Sequence, residues 1–197
     1  MAVQKSMTTS FEDAPPAKRA LAAAFVEALR TTPLAKLTVA GLAQAAGVNR
    51  QTFYHHFTDI YDLARWVFAA EIADHIMAHA SYDQWADGCR ELLVYLKAHH
   101  EQTYAVIRSL RHSDLERFFH RSLRAMMAVI VSELEGDLRL KPADRDFVID
   151  HYTLAVVGHV MHWLATNMAD DPVELVSRVE FILHGTVRES LERFAAR

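Results

Sequence analysis

Apolar residues recur at three- and four-residue intervals along this chain, and that period predicts a succession of helices. Leu21, Ala24, Phe25, Ala28 and Leu29 form one stripe, so a first helix runs from about Pro16 to Arg30 and ends at Thr31-Thr32-Pro33. Residues 37–57 are denser in signals. Thr38 is a good N-cap, with Leu37 and Leu42 placed as a hydrophobic staple. Gly47 stops that helix after about two turns, because glycine takes the left-handed C′ conformation without Cβ strain. Asn49 then caps a second short helix, stapled by Val48 and Phe53. Two short helices joined through a glycine turn make a helix-turn-helix. Neither is long enough to be stable alone, so Val39, Leu42, Ala43, Ala46, Val48, Phe53 and Phe57 are its expected core.

Beyond Phe57, Asp59 caps a longer helix, with Asp62 in a capping-box-like position. Ile60, Leu63, Trp66, Val67 and Ala70 carry that helix towards Ala80. Further helical patterns span roughly 83–98, 101–111, 114–134, 143–168 and 173–195. They break near Ser81, His99-His100, Ser113, Glu135-Gly136 with Lys141-Pro142, and Asp170-Asp171-Pro172. The 6 glycines and 5 prolines are too few for the turns of a sheet protein, and the prolines fall at breaks. The fold class is all-α. Residues 1–14 are polar and aperiodic and read as a disordered arm; 15–58 read as the helix-turn-helix domain and 59–197 as a helical body.

With its apolar side committed to the core, the second short helix turns Arg50, Gln51, Thr52, Tyr54, His55 and His56 outward. The set holds an arginine able to bond guanine, a glutamine able to bond adenine and a threonine methyl for thymine. A merely solvated polar face is the competing reading; the capping, the glycine turn and the paired Phe53 and Phe57 weigh against it. Charge fits the same picture. The chain's net charge is -4, yet residues 1–57 hold six basic against three acidic side chains, +3, which leaves −7 for the remainder. A basic head on an acidic body is expected when only the head approaches phosphate. One cysteine, Cys89, excludes an internal disulfide, and no uncharged run is long enough for a membrane span. The expected location is the cytoplasm.

The run Leu37-Thr38, Leu42-Ala43, Ala46-Gly47-Val48, Thr52-Phe53-Tyr54-His55-His56-Phe57, then Asp59 with Leu63, closely resembles the TetR/AcrR family of bacterial regulators. Residues 61–68 are similar to the subgroup that includes dihydroxyacetone-kinase regulators. The resemblance covers about the first 65–70 residues. It implies a three-helix DNA-binding head and a six-helix body that dimerises and often encloses an effector pocket. It further implies that Arg50, Gln51, Thr52 and His55 face bases and that Tyr54 and His56 touch backbone or bases. Thr38 would bond a phosphate. Two positions depart from the pattern. Ile60 stands where the family usually has a phosphate-clamping lysine, leaving Thr58, helix N-terminal amides and Lys36 to compensate, and Ala40 is bland for a base-reading position.

In the body, the last two helices are apolar on more than one face, as expected of helices buried on two sides. The resemblance assigns them to a homodimer interface, with Val156, Gly158, Val160, Val179, Ile182, Gly185 and Val187 as candidates. A purely intramolecular core is the alternative. Tyr82, Trp85, Cys89, Tyr104, Met126, Met127, Tyr152, His159 and Trp163 are candidates for an effector pocket, although such residues also build ordinary cores. The effector would be a small molecule or, as in some members of the subgroup, a protein. His75 with His79, and His159 with His162, share helix faces. Neither pair has the Cys or clustered carboxylates of a typical metal site, so no metal and no cofactor is expected.

The sequence thus predicts a homodimeric regulator on a palindromic DNA operator, a repressor released by an effector. An enzyme is disfavoured: no Glu-x-x-His pair, P-loop, dinucleotide turn or nucleophile elbow is present. A helical adaptor or co-regulator controlled by a protein partner, with weak or no DNA binding, is the remaining alternative.

Overall fold

The computed structural model describes residues 14–108 and 110–197. The N-terminal arm expected over 1–14, save Ala14, lies outside the described residues. Every regular element among those described is helical. The chain forms two compact units, one of the chain up to Asp74 with His100–Arg111, the other of His75–His99 with His112–Arg197.

The first unit is built on α1 (Pro16–Leu29), α2 (Val39–Ala45), α3 (Arg50–His56), most of α4 (Ile60–Ala78) and α6 (His100–Ile107). Pro16 begins α1 at a position where a missing N–H costs nothing. The two short helices survive through a shared core of Leu21, Phe25, Leu42, Phe53, Phe57 and Leu63, to which α6 adds Val106. Phe53 is wholly buried and lies 5.9 Å from the Phe57 ring, which in turn lies 5.9 Å from Trp66.

The second unit holds the end of α4, α5 (Trp85–Ala98), α7 (His112–Glu135), α8 (Pro142–Ala165), α9 (Pro172–Leu183) and α10 (Thr186–Ala195). Its core includes Phe119, Leu123, Ile130, Val148, Ile149, Trp163 and Leu191. Arg124 of α7 fixes the register against α8 by bonding Asp150 at 2.6 Å and Asp146 at 3.2 Å. Asp171 caps α9 by accepting from the Val173 and Glu174 N–H groups, both at 3.0 Å.

One expected element differs. The helix expected over 173–195 is two, because Gly185 takes φ +81° between α9 and α10. Apolar periodicity continues through Val187 and Leu191, so the break is invisible to it. No helix among the described residues is long and apolar enough to cross a membrane.

Candidate DNA-binding surface

The helix-turn-helix is held by local bonds that its sequence encodes. Thr38 Oγ1 accepts from Gly41 N–H at 3.1 Å at the start of α2, and the same hydroxyl keeps its proton for an outward acceptor. At the far end, Gly47 at φ +68° completes a Schellman motif. Its N–H bonds the Gln44 carbonyl at 3.1 Å, and Val48 N–H bonds Ala43 at 2.9 Å. Asn49 then caps α3, its Oδ1 accepting from Thr52 N–H at 2.7 Å.

This geometry leaves Arg50, Gln51, Tyr54 and His55 exposed on one short helix. Tyr54 is 54% exposed although its ring stacks edge-on to Phe53 at 5.6 Å, an arrangement that steadies it from below. Thr52 is half-buried, and its hydroxyl donates to Asn49 Oδ1 at 3.0 Å, so its methyl is the part left for a base. His56 is half-buried and packs against His55 at 5.0 Å between ring centres. Desolvation, then the charges of His55 and Lys18, hold His56 below the usual histidine pKa, so it is neutral at neutral pH.

The first turn of α4 has a different character from the phosphate clamp usual in the family resembled. Ile60 packs against the core of the first unit. The Thr58 N–H is taken by Asp62 Oδ2 at 3.0 Å, and Asp62 N–H by Asp59 Oδ1 at 2.8 Å. Arg65 bonds Asp62 at 3.1 Å. A backbone donor that phosphate would use is therefore already satisfied, leaving the exposed Thr58 hydroxyl.

Lys18, read from the sequence only as one of the basic residues, has a specific place. Its ammonium lies 4.2 Å from the Trp66 ring centre and 5.2 Å from that of Phe57. Desolvation lowers its pKa, partly offset by Asp62. A cation over two rings is structural adhesive between α1 and α4. Nothing local in the sequence signals it, because the partners are separated by most of the head.

The candidate effector residues scatter. Trp85, Cys89 and Met126 line an apolar cavity of about 20 Å³ with Leu93, Phe119 and Leu123. His159 lines a neighbouring cavity of about 10 Å³ with Trp85 and Val179. Room of this order holds about one water molecule. Tyr82 lines neither cavity, and its hydroxyl accepts from Gly185 N–H at 3.1 Å. Tyr152 donates to the Thr186 carbonyl at 2.8 Å, and the Trp163 indole N–H to that of Asp170 at 3.1 Å. Met127 is core, and Tyr104 belongs to α6 in the first unit. Burial pushes the Cys89 thiol up to about 11 against a smaller opposing effect of Arg90.

Of the candidate interface residues, Val156, Val160, Val179 and Val187 are buried in the protomer's own core, so they are not free to meet a second copy. Gly185 shapes a helix break. Gly158 and Ile182 are exposed, the latter at 63%. Phe147, Leu154 and Phe181, none of them among the candidate interface residues, are also exposed, the last at 85%.

Comparison with known proteins agrees with this geometry. Residues 20–67 match the model of the bacterial regulatory proteins of the tetR family. Residues 83–185, just over half of the chain, match a model described as a transcriptional regulator C-terminal region of the same family. The HTH-type dhaKLM operon transcriptional activator DhaS of Lactococcus lactis subsp. lactis (strain IL1403) is 24% identical over 144 residues, 71% of this chain and 74% of that protein. A solved structure of a dihydroxyacetone kinase operon activator DhaS superposes with a TM-score of 0.60 at 20% identity, covering 88% of this chain and 97% of the other, a likeness of fold. These are transcriptional regulators rather than enzymes, and the chain belongs to the TetR family of bacterial transcriptional regulators.

Proposed function

We propose that this regulator acts in the cytoplasm as a homodimer on a palindromic operator, with α3 reading bases in the major groove. The exposed face of Arg50, Gln51, Tyr54 and His55, on a helix capped at Asn49 and seated on a buried Phe53, carries the reading. Thr38, Thr52, His56 and Thr58 complete it as backbone or methyl contacts. Reading resides in residues 15–58 and pairing in the body, 59–197.

Pairing rests on the apolar surface of the second unit. Phe147 and Leu154 of α8 and Phe181 and Ile182 of α9 are 58–85% exposed. Large apolar side chains concentrated on two helices favour an interface over open solvent. A two-fold pair also supplies the two reading heads that half-sites one DNA turn apart require.

A second reading concerns the direction of control. The Lactococcus relative is named an activator, which favours activation over the repression expected from the sequence.

Selection of bound DNA from a random pool, followed by fluorescence anisotropy at several salt concentrations, tests the reading. A palindromic consensus with salt-sensitive affinity, lost in Arg50→Ala, supports it. Absence of any enriched sequence from a folded protein refutes it.

A further inference from the structure

We propose that His75, His79 and Glu91 form a binding site for a divalent transition-metal ion of the zinc class. One ligand atom from each lies within 4.8 Å of the others. The two histidines sit one turn apart at the end of α4, their ring centres 4.5 Å apart, and α5 brings the carboxylate to them. Two imidazoles and a carboxylate, with a remaining position for water, make a common donor set for such an ion.

Hydrogen bonds to backbone carbonyls fix the protonated nitrogen of each ring. A carbonyl oxygen only accepts, so the 2.8 Å contact between His75 Nε2 and the Gly88 carbonyl means that Nε2 carries the proton. The 3.0 Å contact of His79 Nδ1 with the His75 carbonyl protonates Nδ1 likewise. Each ring thus keeps one nitrogen lone pair for a metal. Backbone carbonyls fixing the tautomer from behind are the usual support of metal-bound histidine. The free Nε2 of His79 stands 3.9 Å from Glu91 Oε2.

Gly88 makes the meeting possible. A Cβ on it would lie 2.4 Å from both Cβ and Cγ of His79, so only glycine lets α5 approach α4 here. Its carbonyl is the same one that holds His75. With metal bonds of about 2.0–2.1 Å, tetrahedral ligand atoms lie roughly 3.3 Å apart. Closing the widest pair therefore needs a contraction of roughly 1.5 Å at most. Glu91, whose side chain is 66% exposed, can close the part of it that involves its own carboxylate. The sequence shows the histidine pair but not its third ligand, since Glu91 comes from the next helix.

The test uses the full-length, untagged protein stripped with chelator, then titrated with zinc chloride by calorimetry and with cobalt(II) chloride by visible absorption. The expected result is one ion per chain and tetrahedral cobalt bands. Glu91→Gln and His79→Gln should each weaken zinc binding by more than about tenfold, the loss already typical of removing a mere hydrogen-bonded support. Circular dichroism checks that each variant is folded. Glu91→Gln changes an exposed side chain, so it keeps the test decisive if a histidine variant fails to fold. Zinc and cobalt binding unchanged in Glu91→Gln, binding unchanged in the His75→Gln/His79→Gln double variant, or no stoichiometric binding by the parent protein would each overturn the site.

Discussion

Gly158→Ala separates the protomer's own stability from its pairing. Gly158 lies inside α8, is exposed, and a Cβ built on it meets nothing within 4 Å. Within one protomer the substitution therefore removes only the flexibility of a helical glycine, a gain of about 0.8–1.0 kcal/mol. Leu154 lies one turn before it on the same exposed surface. If a second copy closes over that surface, the added methyl enters a packed interface, where overpacking costs about 1–3 kcal/mol. The helical gain belongs to free and paired protomers alike and cancels from the pairing equilibrium. Dimer dissociation should then strengthen by about 5–150-fold. Sedimentation equilibrium measures that constant, and urea unfolding at low and high protein concentration measures the rest. A variant that pairs as tightly as the parent, and is more stable at every concentration, would refute the placement of the α8 glycine face in the interface.

Other expectations follow from the head and from the buried thiol. Phe53→Ala should cost about 3–5 kcal/mol and melt the first unit, whereas Tyr54→Ala should change stability by less than about 0.5 kcal/mol yet abolish specific DNA binding; equal effects in unfolding and anisotropy would sink the division of roles. His56 has a depressed pKa, so the unfolded chain takes up its proton first as pH falls below about 6.5. Stability relative to His56→Gln should therefore decline as pH falls from about 6.5 through the depressed value, followed by thermal melts of both proteins; a constant difference excludes the coupling. Cys89, with its thiol pushed up to about 11, should react slowly with iodoacetamide at pH 7.5 and rapidly in urea, read by mass spectrometry. Ile60→Lys should tighten binding to all DNA sequences alike and steepen the salt dependence by about one phosphate contact; a gain confined to one sequence would contradict a backbone role.

What was legible in the sequence was what is local. The bonds around Thr38, Gly47 and Asn49 join groups three to five residues apart, so residue type and spacing alone specify the helix-turn-helix. The candidate interface residues were less legible for a physical reason. Val156 and Leu154 are equally apolar, and periodicity says that α8 has more than one apolar face without saying which faces its own core. Burial decides: Val156 is 3% exposed and Leu154 58%. Lys18 on Trp66, and Glu91 beside His79, join elements that the sequence keeps apart, so each needs the packed structure to be seen.

Ile60 shows how these levels combine at the DNA-binding surface. Ile60 is only partly buried where it packs against the core, and the backbone donors of Thr58 and Asp62 beside it are taken by Asp62 and Asp59. Two carboxylates at the start of α4 suit the positive end of a helix dipole and so stabilise the head. The same charges oppose a phosphate at that spot. Contacts to phosphate carry most sequence-independent affinity, and contacts to base edges carry discrimination. A head that trades an α4 clamp for its own capping, while leaving Arg50, Gln51 and Tyr54 exposed on α3, gives up affinity for DNA at large before it gives up the ability to tell one site from another.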